Sequence, residues 1–237
     1  MTLLSVNINK IALIRNARGG NNPDLLQVAL DCIRFGADGI TVHPRPDGRH
    51  IRREDVYQLK EKINVELNVE GYPSPDFLKM VCEIKPAQCT LVPDPPDALT
   101  SNAGWNTIDN QSFLKEVIAQ LKQNNIRVSI FTETRLDWID NTVVTGTDRI
   151  ELYTGPYAEN CLLNNEKTIE TYKIAAIRAS ELGLGLNAGH DLNLHNLAYF
   201  HQQIPQLQEV SIGHALICDA LYLGLEKTIA LYKQLLQ

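Results

Sequence analysis

Gly39-Ile40-Thr41-Val42-His43 is a short apolar run that ends in a histidine. The same construction returns in Gly185-Leu186-Asn187-Ala188-Gly189-His190 and in Val210-Ser211-Ile212-Gly213-His214. Glu70 closes Glu66-Leu67-Asn68-Val69-Glu70, and Glu151 lies within Arg149-Ile150-Glu151-Leu152-Tyr153-Thr154. Runs of this length and composition read as strands. A parallel barrel gathers the carboxyl ends of its strands around one mouth, so residues far apart in the chain meet there. Histidines and glutamates delivered to one mouth point to an enzyme with a histidine/carboxylate site.

Strand patterns extend outward from these runs, over 3–9, 39–43, 66–70, 88–93, 128–133, 149–154, 185–189 and 209–214. Helical patterns fill the intervals. Residues 23–36 open with Asn22 as N-cap and Pro23 at the first helical position, followed by an apolar stripe of Leu26, Ala29, Leu30 and Ile33. Residues 75–84 repeat this after Ser74, and 54–63, 111–123, 166–182 and 215–236 follow. The spacer after the fifth strand, around Leu136-Asp137-Trp138-Ile139, is short for a helix. Strands alternating with helices predict a (β/α)8 TIM barrel with additional helices, a single domain over residues 1–237. A doubly wound open sheet is the structural alternative.

The bulk numbers narrow the function. Net charge is −6, which argues against a nucleic-acid or anionic-membrane surface. No apolar run reaches the roughly 18 residues a spanning helix needs. The amino-terminal residues lack a basic region and a long apolar stretch, so a signal peptide is not expected and a cytoplasmic enzyme is. The cysteines, Cys32, Cys82, Cys89, Cys161 and Cys218, are scattered without a CxxC pair, and most read as small core residues. No metal site is expected.

The densest polar constellation is His43-Pro44-Arg45-Pro46-Asp47-Gly48-Arg49-His50-Ile51-Arg52-Arg53, four arginines against one aspartate in an acidic chain. Arginine forks match phosphate oxygens, so the run reads as an anion clamp. A solvated basic loop is the bland alternative. Asn7 and Asn9 would share one face of the first strand, with Arg15, Arg18, Gly19 and Gly20 beyond. Gly189-His190-Asp191 and Gly213-His214 follow the last two strands, where barrels often hold phosphate. Glu70 and Glu151 would face the mouth as a base or as a partner to histidine; for each of them, a buried carboxylate merely pairing with Arg149 or Lys10 is the structural alternative. Residues 93–110 are irregular and read as a lid or binding loop. His195 and His201 read as structural or surface residues.

Together Val6-Asn7-Ile8, Arg15-Asn16-Ala17-Arg18-Gly19, Gly36 through His43, Arg49-His50-Ile51, Asn187-Ala188-Gly189-His190 and Ile212-Gly213-His214-Ala215 resemble the pyridoxine 5′-phosphate synthase family. The resemblance runs through essentially the whole chain. It implies a cofactor-free barrel that assembles as a homo-octamer. It also implies condensation of two small phosphorylated substrates, 1-deoxy-D-xylulose 5-phosphate and 3-amino-2-oxopropyl phosphate, to pyridoxine 5′-phosphate, phosphate and water. Carried over, His43 matches the proton acceptor, Glu70 the catalytic glutamate and His190 the proton donor. Asn9, Lys10, Arg45, His50 and Thr100 match positions around deoxyxylulose phosphate. Asn7, Arg18, Asp191, Gly213 and His214 match positions around the amino-ketone phosphate, and Glu151 a further acidic position. Many members carry Asp-His where this chain has Asn9-Lys10, and glycine where it has Asp191. Another phosphosugar barrel enzyme and a non-catalytic phosphate-ligand sensor are the competing readings.

Overall fold

All eight expected strands form in the computed structural model, which describes residues 1–94, 102–161 and 166–237. They are β1 (Leu3–Asn7), β2 (Gly39–Val42), β3 (Glu66–Gly71), β4 (Gln88–Leu91), β5 (Arg127–Thr132), β6 (Arg149–Leu152), β7 (Gly185–Gly189) and β8 (Leu207–Ile212). Neighbours pair in parallel in chain order, and β8 returns to β1 with Leu3 opposite Glu209 and Val6 opposite Ile212. The sheet closes, which removes the open doubly wound alternative.

Side chains alternate across each strand, and here the two faces differ in kind. Leu4, Val6, Ile40, Val42, Leu67, Val69, Val128, Ile130, Val210 and Ile212 join the buried apolar layer that meets the helices. The other parity carries Ser5, Thr41, Asn68 and Thr90, which touch one another inside the barrel. Ser5 and Thr41 hydroxyls lie 2.7 Å apart, Asn68 Nδ2 donates to Thr41 Oγ1 at 3.4 Å, and Thr90 Oγ1 donates to Asn68 Oδ1 at 3.1 Å. Towards the amino-terminal end, Arg149 Nη1 donates to Asn187 Oδ1 at 3.0 Å and to Glu209 Oε2 at 3.3 Å. Arg149 therefore pairs away from Glu70 and Glu151, and the Arg149 part of that structural alternative falls.

The helices are α1 (Asn9–Arg18), α2 (Leu25–Arg34), α3 (Arg53–Lys62), α4 (Pro75–Ile84), α5 (Gln111–Gln123), α6 (Leu136–Thr145), α7 (Gly155–Cys161), α8 (Glu166–Glu181), α9 (Leu197–Gln203), α10 (His214–Leu223) and α11 (Leu225–Gln234). Ser74 caps α4 as expected, accepting the Phe77 N–H at 3.3 Å. Three expectations need correction. The chain leaves β1 at Asn7, whose Oδ1 accepts the Asn9 N–H at 3.0 Å and turns the backbone into α1. Asn7 and Asn9 therefore do not share a strand face. The N-cap of α2 is Asp24, which accepts the Gln27 N–H at 3.0 Å, so the helix starts later than the Asn22-Pro23 pair suggests. The final helix is two, broken at Gly224 with φ 79°, a conformation that glycine adopts without steric cost.

One buried ion pair ties α1 to the first turn of α3, and the same arginine reaches the segment between β2 and α3. Arg15 is 1% exposed, and its Nη1 and Nη2 donate to the two Asp55 oxygens at 2.6 and 2.9 Å. Its Nη2 also donates to the His50 carbonyl at 3.2 Å. Asn16 Nδ2 adds donations to the carbonyls of Gly48, Arg49 and His50. Arg15 is thus a structural residue rather than an anion ligand. Arg15→Ala leaves the Asp55 carboxylate buried without its cation, a loss of about 3–5 kcal/mol. At about 2–4 °C per kcal/mol for a chain of this size, the thermal midpoint falls by roughly 6–20 °C. Circular dichroism melting checks this, and an unchanged midpoint contradicts it.

Candidate active site

At the carboxyl end of the barrel lies a cavity of about 800 Å³, within the range of small-molecule sites. Inward parity brings Asn7 from β1, Glu70 from β3 and Glu151 from β6 to its floor. The segment after β2 adds His43, Arg45 and His50, and the start of α1 adds Asn9 and Lys10. The turn after β7 supplies His190 and Asp191, and the start of α10 supplies Gly213 and His214. Arg18 is exposed at the end of α1 and does not line the cavity among the described residues. Thr100 lies outside the described residues, as do residues 95–101 of the expected loop.

Glu70 and His43 face each other on the floor of the cavity. Glu70 Oε2 is 3.9 Å from His43 Nδ1, and Asn7 Nδ2 donates to it at 3.5 Å. The His43 backbone N–H donates to Asn9 Oδ1 at 2.9 Å, so the start of α1 holds the end of β2. Burial, and then the charges of Arg45, His50, Arg49 and His190, push the His43 ring well below the ordinary histidine range. Its imidazole is neutral and able to accept a proton. Burial pushes the Glu70 carboxyl up to about 7, against the pull of His190. Glu151 is raised further, by burial and by the charges of Glu70 and Glu209. Among the described residues its Oε2 is buried with no hydrogen-bond partner, and the same holds for Ser211 Oγ, which also lines the cavity. Buried polar groups without partners cost about 1–3 kcal/mol each, so both mark positions where a polar ligand group is favoured.

The basic segment after β2 is less free than its sequence suggests. Arg45 Nη2 donates to Asp94 Oδ2 at 2.5 Å in a buried pair, and Arg49 Nε donates to Asp47 Oδ2 at 2.7 Å. Arg53 turns to Glu83 and Tyr57 on the outer surface, and Arg52 precedes α3. Arg45 and Arg49 line the cavity, whereas Arg52 and Arg53 do not. The clamp therefore rests on fewer arginines than the run contains. His50 complements them. Its Nδ1 accepts the Ile51 N–H at 2.9 Å, which leaves the ring's proton on Nε2. Burial and the charges of Arg45, Lys10 and Arg49 push this ring down to about 4, so it is a neutral donor.

Across the cavity, His190 Nδ1 lies 2.8 Å from Asp191 Oδ2. Burial works against a charged ring there, but the Asp191 hydrogen bond and the charges of Asp191, Glu70 and Asp94 keep His190 above the ordinary range. Gly213 is the N-cap of α10 and lines the cavity with His214 and Ala215, and a β-carbon on Gly213 would press on Asn7 at 3.0 Å. His214 is exposed at the first position of that helix, with Cys218 Sγ 3.7 Å from its Nε2. His195 is exposed and His201 half-buried, apart from the cavity. Among the described residues no group of three or more His, Cys, Asp or Glu is placed to hold a metal ion.

Sequence reading missed several wall residues. Thr90, Phe131 and Ser211 line the cavity, and their signal was the same inward parity that carries Glu70. Glu159 and Asn193 come from the segments after β6 and β7 and had no periodic signal at all.

Comparison with known proteins agrees with this geometry. The family model "Pyridoxal phosphate biosynthesis protein PdxJ" matches residues 4–237. Pyridoxine 5′-phosphate synthase of Cytophaga hutchinsonii is 61% identical over 232 residues, 98% of each chain. That of Phocaeicola vulgatus is 59% identical over 237 residues, all of each chain. Among solved structures, 3-keto-L-gulonate-6-phosphate decarboxylase of Vibrio cholerae superimposes with a TM-score of 0.67 at 13% identity, covering 99% of this chain and 97% of that one. Phosphoribosyl anthranilate isomerase of Thermotoga maritima gives 0.63 at 13% identity, covering 100% and 98%. These two share the fold alone. Matched by the family model and by full-length relatives of such identity, the chain belongs to the pyridoxal phosphate biosynthesis protein PdxJ family.

Proposed function

We propose that this chain is a pyridoxine 5′-phosphate synthase. It joins 1-deoxy-D-xylulose 5-phosphate and 3-amino-2-oxopropyl phosphate, with loss of phosphate and water, in vitamin B6 synthesis. One observation carries the reading. A single cavity holds a Glu70/His43 pair, a facing His190 and two anion-holding corners that rise after β2 and after β8, with β1 between them. Two phosphorylated substrates need two such corners, and their phosphates act as handles that orient the reacting centre.

The chemistry is proton transfer and placement. Glu70 and neutral His43 help the amine attack the deoxyxylulose ketone and then take protons from the imine or enamine. His190, whose ring is kept above the ordinary histidine range, gives protons to departing oxygens. Arg45, Arg49 and His50 hold the phosphate that leaves, with Asn9 and Lys10 beside them. Gly213, His214 and the start of α10 keep the phosphate that stays, with Asn7 and Asp191 close by. Arg18 and Thr100 complete the binding set on the family's pattern. Glu151, kept protonated by its surroundings, donates to developing negative charge on the ring-closing intermediate.

The same reading extends to a cytoplasmic homo-octamer. No helix among the described residues is long and apolar enough to cross a membrane. Tyr222 is 91% and Leu221 72% exposed at the end of α10, an apolar surface that self-association would cover.

The first experiment incubates purified protein with both substrates, omitting each in turn, and follows pyridoxine 5′-phosphate by absorbance. Product only with both supports the reading; none from folded protein removes it. His43→Asn, Glu70→Gln and His190→Asn each lower kcat by about 10²–10⁴-fold, and wild-type turnover in these variants removes the assigned roles. The pH profile of kcat/KM is a bell. Glu70 must be ionised to accept a proton and its pKa is raised to about 7, so the rate falls as pH drops below that value. His190 must be protonated to donate, so the rate falls again as pH rises through its raised pKa. A flat profile between pH 5 and 9 would contradict both assignments. Light scattering on the purified protein gives an octamer mass, and a monomer mass removes that part of the reading.

A further inference from the structure

His190 and Asp191 are consecutive, yet their side chains meet. Successive side chains of an extended strand point to opposite faces, so this contact requires the chain to turn directly after β7. It does: His190 has φ 46°, in the left-handed region that residues with a β-carbon seldom occupy. The turn is held through main-chain atoms. The His190 N–H donates to the Ser211 carbonyl at 3.2 Å, and the Asp191 N–H donates to Thr154 Oγ1 at 3.3 Å. The Asp191 carbonyl accepts from Asn196 Nδ2 at 3.2 Å and Asn193 Nδ2 at 3.4 Å. Gly189 must stay a glycine, because a β-carbon there would fall 2.1 Å from the Ser211 carbonyl oxygen. None of these bonds uses the Asp191 carboxylate. That group is committed to the imidazole, at 2.8 Å from Nδ1.

On the synthase reading above, we propose that Asp191 is a positioning residue for His190: its carboxylate keeps a proton on Nδ1, fixes the ring plane and leaves proton exchange with substrate to Nε2. A carboxylate on one imidazole nitrogen selects the tautomer and stabilises the imidazolium formed in proton transfer. The other groups facing His190 come from several elements. Glu70 on β3 and Asp94 after β4 add negative charge, His43 after β2 opposes it, and the Tyr153 ring after β6 packs edge-on at 6.2 Å. Asp191 exceeds Glu70 and Asp94 in favouring the charged ring, and the two partners are each about one-third exposed. The pair can therefore exchange with solvent and reset between turnovers.

The test uses full-length protein labelled with [15N]histidine, with His190 assigned by the loss of its signal in His190→Gln. In the wild type the neutral ring is the Nδ1–H tautomer. Asp191→Asn lowers the His190 titration midpoint by about one pH unit. It moves the alkaline limb of kcat down by the same amount and leaves KM unchanged. At the midpoint of the wild-type limb that is about a fivefold loss of kcat, approaching tenfold at higher pH. Asp191→Glu, which restores a carboxylate, recovers part of the limb. An unmoved titration and limb in Asp191→Asn overturn the proposal, and so does a raised KM with an unchanged profile, which would make Asp191 a substrate contact only. If Asp191→Asn fails to fold, the wild-type tautomer decides, and an Nε2–H ring overturns the proposal. Absence of product from the wild type would remove the synthase reading, while the titration of the free protein still decides the dyad.

Discussion

Closure of the barrel locks every strand between two hydrogen-bonded neighbours, so no strand can slip by one residue without turning its side chains to the wrong face. That constraint has unusual weight here because the two faces are chemically unlike. Barrel interiors of this type are mostly filled by branched apolar side chains. In this one Ser5, Thr41, Asn68 and Thr90 form a connected polar interior, with Arg149, Asn187 and Glu209 towards the amino-terminal end. Burying polar groups is costly unless they find partners, and the cross-strand bonds supply them for Ser5, Thr41, Asn68 and Thr90. Glu70 and Glu151 are the continuation of the same parity to the mouth, so the reactive carboxylates and the polar interior are one pattern read at two heights.

Above the barrel, precision depends on a second device. The segment that carries Arg45 and His50 has little regular structure between β2 and α3, and its carbonyls would otherwise face water. Arg15 and Asn16 gather those carbonyls from one side, while Asp55 takes the Arg52 N–H at 2.7 Å and receives the Arg15 fork. A buried bidentate pair of this kind fixes direction as well as distance. It sets where the backbone of His50 lies, and the Ile51 N–H then sets which nitrogen of that ring carries the proton.

Much of the fold was legible because runs such as 39–43 and 185–190 end in histidine after mostly apolar residues, a pattern that survives without tertiary context. Ser74-Pro75 announced α4 for the same reason, a cap and a first-turn proline acting locally. Boundaries failed where a side chain acts on its own backbone. Asn7 stops β1 two residues early, and Gly224 divides the last helix through a φ that no apolar stripe encodes. The membership of the site followed from strand ends, and Arg18 is the described residue that the pattern placed there and the geometry does not. Partnerships were the least readable part. Arg45 meets Asp94 across two strand ends, and adjacency in sequence argues against the His190–Asp191 contact until the turn is known.

The Arg45–Asp94 pair changes what it means for an anion to bind. On the proposed synthase reading, a phosphate arriving at Arg45 would meet a guanidinium that already holds a carboxylate, in surroundings where both side chains are 5% exposed. The fork has further N–H donors, but its charge is already balanced. Seating a phosphate is thus an exchange between two anions rather than the filling of an empty cationic hole, and the affinity is a difference between their claims. On that same reading, once the bond to the sugar has broken and free phosphate is left, Asp94 would still be in place as a tethered competitor. It needs no diffusion to reclaim the guanidinium, so the pair favours departure of the product anion over its retention.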